Sequence, residues 1–106
     1  MINRLFVKGY KQVGSYSNGV TVYSNGLSAY VNISTGSMTF NKSAWTNLAT
    51  LTDYKPMNSV IYSRTSVTDL WGYIDNSGLL KVYNSSSANK TNTLDYSVYY
   101  PINPRF

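Results

Sequence analysis

Apolar and polar residues alternate along this chain in short runs, punctuated by Gly and Asn. Such runs, rich in Val, Ile, Tyr, Thr and Trp, predict β-strands. The stretch Val20–Ser24 (VTVYS) has strand length. After it, Leu27, Ala29, Val31 and Ile33 fall on one face of a strand, and Ser28, Tyr30 and Asn32 on the other. Asn25-Gly26 between them predicts a hairpin turn, because a tight type I′ turn needs positive φ at both central positions. The identical dipeptide Asn18-Gly19 follows a segment that alternates poorly, so it is read as the end of a loop. Two Asn-Gly pairs also rule out a helical heptad behind the recurring Tyr16, Tyr23 and Tyr30.

Further strands are predicted in MTF (38–40), SVIYSRTS (59–66), DLWGYID (69–75), LLKVYN (79–84) and LDYSVYYPI (94–102). Asp75 to Gly78 (DNSG) reads as a tight turn, Thr52 to Met57 as a loop, and Ser85 to Asn92 as a mobile polar loop of low complexity. The best helix candidate is Ser43–Leu51, with Ser43 as N-cap, but its apolar residues do not take a 3,4 spacing. Six to nine short strands at this spacing predict one all-β domain, an antiparallel barrel or sandwich.

The sharpest positional signal is DLWGYID. Asp69, Trp71, Tyr73 and Asp75 share one face of an alternating strand, while Leu70, Gly72 and Ile74 take the core face. Gly72 is compatible with a bulge or a close backbone approach. Aromatic rings flanked by carboxylates suit a pyranose, whose apolar face packs on a ring while planar polar groups read its hydroxyls. The competing reading buries Trp71 and Tyr73 in a trimer interface or a second core, and the residues alone leave both open. Tyr62 and Arg64 share a face of the preceding strand, where Arg64 either forks onto a phosphate or hydroxyl pair or salt-bridges Asp69. Tyr96, Tyr99 and Tyr100 are candidates to pack against symmetry mates.

Composition narrows the chemistry. The 106 residues contain no Cys and no His, which removes disulfides, most zinc sites and the Ser-His-Asp and Cys-His nucleophile systems. No metal or cofactor is expected. Glu is also absent, and Asp69 and Asp75 on one strand stand roughly 20 Å apart, too far for a glycosidase pair. A cross-strand pair using Asp53 or Asp95 stays open. Nine Lys/Arg against four Asp give a net charge of +5, but the basic residues are scattered, which favours weak attraction to anionic surfaces over a nucleic-acid track. No apolar run approaches the ~18 residues of a membrane span, and the first residues lack a signal-peptide core.

From Trp45 onward the order WTNLATL, YKP, a Val/Ile strand, WGYIDNSGLLKVY and YYPI resembles the C-terminal head domains of siphophage receptor-binding proteins, those of phages infecting lactococci and related Gram-positive bacteria in particular. GVTVYSNGLSAYVNI fits their first hairpin, so the resemblance covers residues 19–102, with 1–18 as an irregular lead-in from a neck or shoulder segment. It implies a homotrimeric adhesin head at a virion's tail tip or baseplate, attached to other baseplate proteins. It also implies non-enzymatic binding of a host cell-wall saccharide; the net positive charge separately makes phosphate-bearing wall polymers one anionic surface to consider. Three places depart from the pattern: Tyr73-Ile74-Asp75 stands where several heads carry His-x-Asp, Val82-Tyr83 where a tryptophan is expected, and Asp53-Tyr54-Lys55-Pro56 lacks the usual first Pro and Gly of its segment. The rival readings are a structural trimerisation cap without a ligand and, behind it, single-stranded nucleic-acid binding through tyrosine stacking.

Overall fold

The computed structural model describes residues 9–57 and 60–102. Among these are ten strands: β1 (Lys11–Tyr16), β2 (Val20–Ser24), β3 (Ser28–Ser34), β4 (Met38–Phe40), β5 (Ala44–Thr50), β6 (Val60–Arg64), β7 (Leu70–Asp75), β8 (Leu79–Asn84), β9 (Lys90–Asn92) and β10 (Asp95–Pro101). They form two four-stranded sheets, ordered β1-β2-β3-β10 and β5-β8-β7-β6, with β4 and β9 paired between them. Every pairing is antiparallel. Each sheet keeps open edges, so the architecture is a sandwich and not a closed barrel.

One long ribbon generates both sheets. β3, β4 and β5 run against β10, β9 and β8 in turn, so the ribbon starts in the first sheet, passes through β4/β9 and continues in the second. Bending a hairpin over on itself is how jelly rolls make two layers from one ribbon. The corners are braced by polar groups. At one, the Thr35 amide donates to Leu94 O (2.9 Å) and the Leu94 amide donates to Thr35 Oγ1 (2.9 Å). At the other, the fully buried Asn84 amide donates to Phe40 O and Ala88 O, both at 2.9 Å.

The core follows from alternation. Val20, Val22, Ala29, Val31, Ile33 and Tyr100 point inward from the first sheet, against Leu48, Leu70, Ile74, Leu80 and Val82 from the second. Tyr100, a candidate for an intersubunit contact, is instead buried in its own domain, where its hydroxyl donates to Tyr54 O at 2.8 Å. Leu27 breaks its expected pattern: it lies in the β2–β3 loop and is 65% exposed.

Both Asn-Gly pairs turn hairpins: Asn25-Gly26 joins β2 to β3 as expected, whereas Asn18-Gly19, expected to end a loop, joins β1 to β2. Asn18 (φ 58°) and Gly19 (φ 70°) form the tight turn, closed by Val20 N–H donating to Ser17 O, and join β1 to β2. Residues 11–16 are therefore an edge strand rather than an irregular lead-in; residues 1–8 lie outside the described residues. At Asn25-Gly26 only the glycine has positive φ, and the Asn25 side chain makes the turn by accepting from the Leu27 (2.9 Å) and Ser28 (3.0 Å) amides. The helix candidate at 43–51 is β5, and the polar loop predicted across 85–92 ends in β9. No helix of the described residues is long and apolar enough to cross a membrane.

Candidate functional site

The outer face of the β5-β8-β7-β6 sheet is where the sequence-predicted residues meet. Cross-strand register lines up Trp45, Tyr83, Trp71 and Arg64 in one row, and Asn47, Lys81, Tyr73 and Tyr62 in the next. Alternation puts Leu70, Gly72, Ile74, Leu80 and Val82 on the opposite, buried side. Tyr62 is 71% exposed and packs edge-on against Tyr73, with ring centroids 4.9 Å apart. Trp45 meets Tyr73 at 4.7 Å and Tyr83 at 5.0 Å. The result is an interlocked aromatic surface of rings held by their neighbours.

Two cations lie on this surface. Lys81 Nζ sits 4.3 Å from the Trp45 ring centroid, and Arg64 Cζ 5.8 Å from that of Trp71. Such cation–π contacts hold charged groups beside rings without neutralising them. Arg64 does not pair with Asp69, the alternative read from sequence; the ion pair among the described residues joins Lys81 to Asp75 at 4.0 Å. An exposed pair of that length contributes little binding energy of its own, and the face stays net positive.

The carboxylates do different work from each other. Asp75 Oδ1 accepts from the Ser77 hydroxyl (2.6 Å), the Ser77 amide (2.9 Å) and the Leu79 amide (3.1 Å), which ties the β7–β8 turn. The Ser77 hydroxyl, above all, holds this carboxyl below its usual range, with burial opposing and the two amides and Lys81 assisting. Asp75 Oδ2 is the oxygen that lies 4.0 Å from Lys81 Nζ. Asp69 precedes β7 with φ 70°, so it leaves the strand alternation that sequence reading gave it. Its carbonyl accepts from the Ser85 amide (2.9 Å) and hydroxyl (3.2 Å), and the Trp71 indole N–H donates to the same hydroxyl at 3.2 Å. Arg64, Asp69 and Trp71 thereby come together around one open cleft of about 200 Å³ at the β6–β7 connection.

Trp45, Tyr83 and Lys81 were not singled out from sequence as site residues. The alternation Lys81-Val82-Tyr83 does mark an outward Lys and Tyr. Trp45 joins them from β5, opposite Tyr83, a pairing no local pattern announces.

The opposite sheet carries a second, uncharged tyrosine row. Gln12, Tyr23, Tyr30 and Tyr99 are in register across β1, β2, β3 and β10. Tyr23 and Tyr30 rings lie 6.1 Å apart, and Tyr10 packs on Tyr99 at 6.0 Å. The Tyr10 hydroxyl donates to that of Tyr99 (3.0 Å) and also bonds Ser28 Oγ. Accepting that bond lowers the Tyr99 phenol, whereas partial burial raises that of Tyr10.

The fold and the face together define an antiparallel β-sandwich with an aromatic, cationic outer surface. The chain matches no protein-family model, no curated protein and no solved structure.

Proposed function

We propose that this domain is a non-enzymatic recognition module that binds a cell-wall saccharide of a Gram-positive host, in the role of an adhesin head on a phage tail tip or baseplate. The observation that carries the reading is the outer face built from Trp45, Tyr62, Trp71, Tyr73 and Tyr83 with Arg64 and Lys81. Rings fixed edge to face offer rigid apolar area to sugar C–H faces at low entropic cost. The two cations suit the phosphates of wall polymers. Motif order after Trp45 supports the phage assignment.

The test is sedimentation of the purified domain with walls from candidate hosts. Trp45→Ala and Trp71→Ala are each expected to weaken binding at least about tenfold while the fold persists, since both side chains stand on the outer face. Unchanged wall binding by both variants refutes this face as the site. Preferential binding to single-stranded DNA, falling steeply with salt, points instead to nucleic acid.

A second reading, a self-associating structural cap, is favoured by the other end of the molecule. Leu27 (65%), Met57 (55%), Tyr99 (62%) and Val13 (39%) are exposed there, beside a depression of about 360 Å³ that Val13, Tyr54 and Ile102 help to line. In the adhesin reading this end joins the copies of a homotrimer. Light scattering that gives a trimer, lost in Leu27→Glu/Met57→Glu, supports the assembly; a trimer with no wall binding supports the cap.

A further inference from the structure

The cleft at the β6–β7 connection carries more information than the open aromatic face beside it. Its walls are preformed. Thr65 Oγ1 donates to Leu70 O at 2.6 Å and accepts from the Val67 amide at 3.1 Å. The Leu70 amide returns to Val67 O at 3.2 Å. Ser66 Oγ accepts from the Asp95 amide at 2.9 Å, anchoring the loop to β10. No segment has to order when a ligand arrives, so little binding energy is spent on organisation.

Two opposite charges line this cleft without neutralising each other. Arg64 and Asp69 form no ion pair within 4.0 Å. The guanidinium lies over Trp71, and the Asp69 carboxylate has no hydrogen bond or ion pair among the described residues. Asp69 also adopts φ 70°, a conformation that asparagine and aspartate tolerate better than other side chains but that still carries a cost. Its carbonyl, bonded to Ser85, holds that conformation, and its carboxylate caps nothing in return. At about 200 Å³ the cleft is below the ~300–1,000 Å³ of pockets for drug-sized ligands, which fits one ring and not a chain segment.

A ligand with a single charge complements one wall and leaves the other unanswered. We propose that the cleft takes a zwitterionic sugar residue, an amino sugar with a free ammonium and a phosphate, as the unit through which this module reads its polymer. The Arg64 guanidinium forks onto the phosphate, the Asp69 carboxylate receives the ammonium, and the sugar ring lies against Trp71. This inference rests on the saccharide-binding reading and names the ligand class within it.

The experiment is calorimetric or NMR titration at neutral pH with glucosamine 6-phosphate, N-acetylglucosamine 6-phosphate and glucosamine. The first is expected to bind at least about tenfold more tightly than the other two. Asp69→Asn, which keeps shape and suits the same backbone angle, is expected to bind the two phosphates equally. Arg64→Gln is expected to bind glucosamine 6-phosphate no better than glucosamine. Equal wild-type affinity for the free and acetylated amines overturns the proposal, as does an amine preference that survives Asp69→Asn. If walls bind but none of the three sugars does, the cleft assignment fails and the aromatic-face reading stands. If walls do not bind but the sugar preference holds, the cleft assignment survives and the host-wall reading fails.

Discussion

Replacing Tyr96 by Phe is expected to stabilise this protein. Tyr96 projects inward from β10 and reaches across to the other sheet, where its hydroxyl presses on Gly72 of β7. A Cβ at position 72 would stand 2.7 Å from that hydroxyl and 2.6 Å from Ser63 Oγ, so the glycine makes room for the phenol. The hydroxyl is buried, and although Ser63 lies beside it, no hydrogen bond of acceptable geometry forms. A buried polar group left unpaired costs about 1–3 kcal/mol. Phe keeps the ring and removes only the unpaired atom from a crowded spot. The expected gain is about 1–2 kcal/mol at neutral pH, several degrees in Tm for a domain of this size.

Alkaline pH supplies an independent check. Burial pushes the Tyr96 phenol from 10.0 up to about 12, with the Ser63 hydroxyl pulling slightly the other way. A raised folded-state value means that the folded protein retains a proton the unfolded chain releases. The associated stability is complete below pH 10 and is lost as pH rises toward 12, up to about 3 kcal/mol over that span. Tyr96→Phe lacks this loss, so its advantage over the wild type should widen between pH 9 and pH 11. Other raised phenols, such as Tyr100, titrate in both proteins and cancel in the difference. Urea titrations of the pair at several pH values measure it. A Phe variant less stable than wild type at neutral pH, or a gap that stays constant into alkali, would refute the buried, unpaired hydroxyl.

Gly78→Ala is expected to cost about 2–4 kcal/mol in thermal melts, because Gly78 has φ 90° and an added Cβ would lie 2.4 Å from Leu51 O, a backbone atom that cannot swing away. A loss below about 1 kcal/mol contradicts that contact. Asp75→Ala should cost about 1–2 kcal/mol near neutrality by freeing the turn donors. Because the folded carboxyl is depressed, its contribution is present above the unfolded value of about 3.9 and disappears as pH falls through the lower folded one. Wild-type and Asp75→Ala stabilities should therefore converge in strong acid. Asn84→Leu, similar in size, strands Phe40 O in the core and should cost about 2–3 kcal/mol, with faster hydrogen exchange at residues 85–89.

Burial was legible wherever a strand has one wet and one dry face. Val20–Ser24, Ala29–Ile33 and Leu70–Ile74 alternate in the sequence as they do in the fold. β1 was illegible because it is an edge strand exposed along most of its length; backbone pairing to β2 holds it, and hydropathy does not register backbone pairing. The same limit explains why the hairpin turned by Asn18-Gly19 read as the end of a loop. An Asn-Gly pair reads as a hairpin turn only when a strand pattern flanks it on each side, and the strand before Asn18 left no apolar trace. Of the six residues anticipated for a site, Arg64, Asp69 and Trp71 gather at the cleft, Tyr62 and Tyr73 join the aromatic face, and Asp75 is largely committed to a turn. Contacts between strands consecutive in the chain were within reach of local pattern; that of Trp45 with Tyr83, from β5 to β8, was not.

The missed tryptophan turns on a single irregularity. Along β5 and β8 the pairing shifts by one residue between Asn47 and Ala49. Traced without a shift from Ala49 opposite Leu80, the register would set Trp45 opposite Asn84, a residue buried completely on the core side. The bulge instead lets Leu48 and Ala49 both face the core and returns Trp45 to the row of Tyr83 and Trp71. Two adjacent buried residues also destroy the period-2 signal, which is why this stretch read as a helix candidate without helical spacing and not as a strand. Bulges bend a strand and re-aim side chains, often beside functional sites. Here one extra residue both blurred the sequence pattern and assembled the surface: with Trp45 turned inward, Lys81 would lose its ring, Tyr73 one of its two aromatic neighbours, and Tyr83 its ring contact.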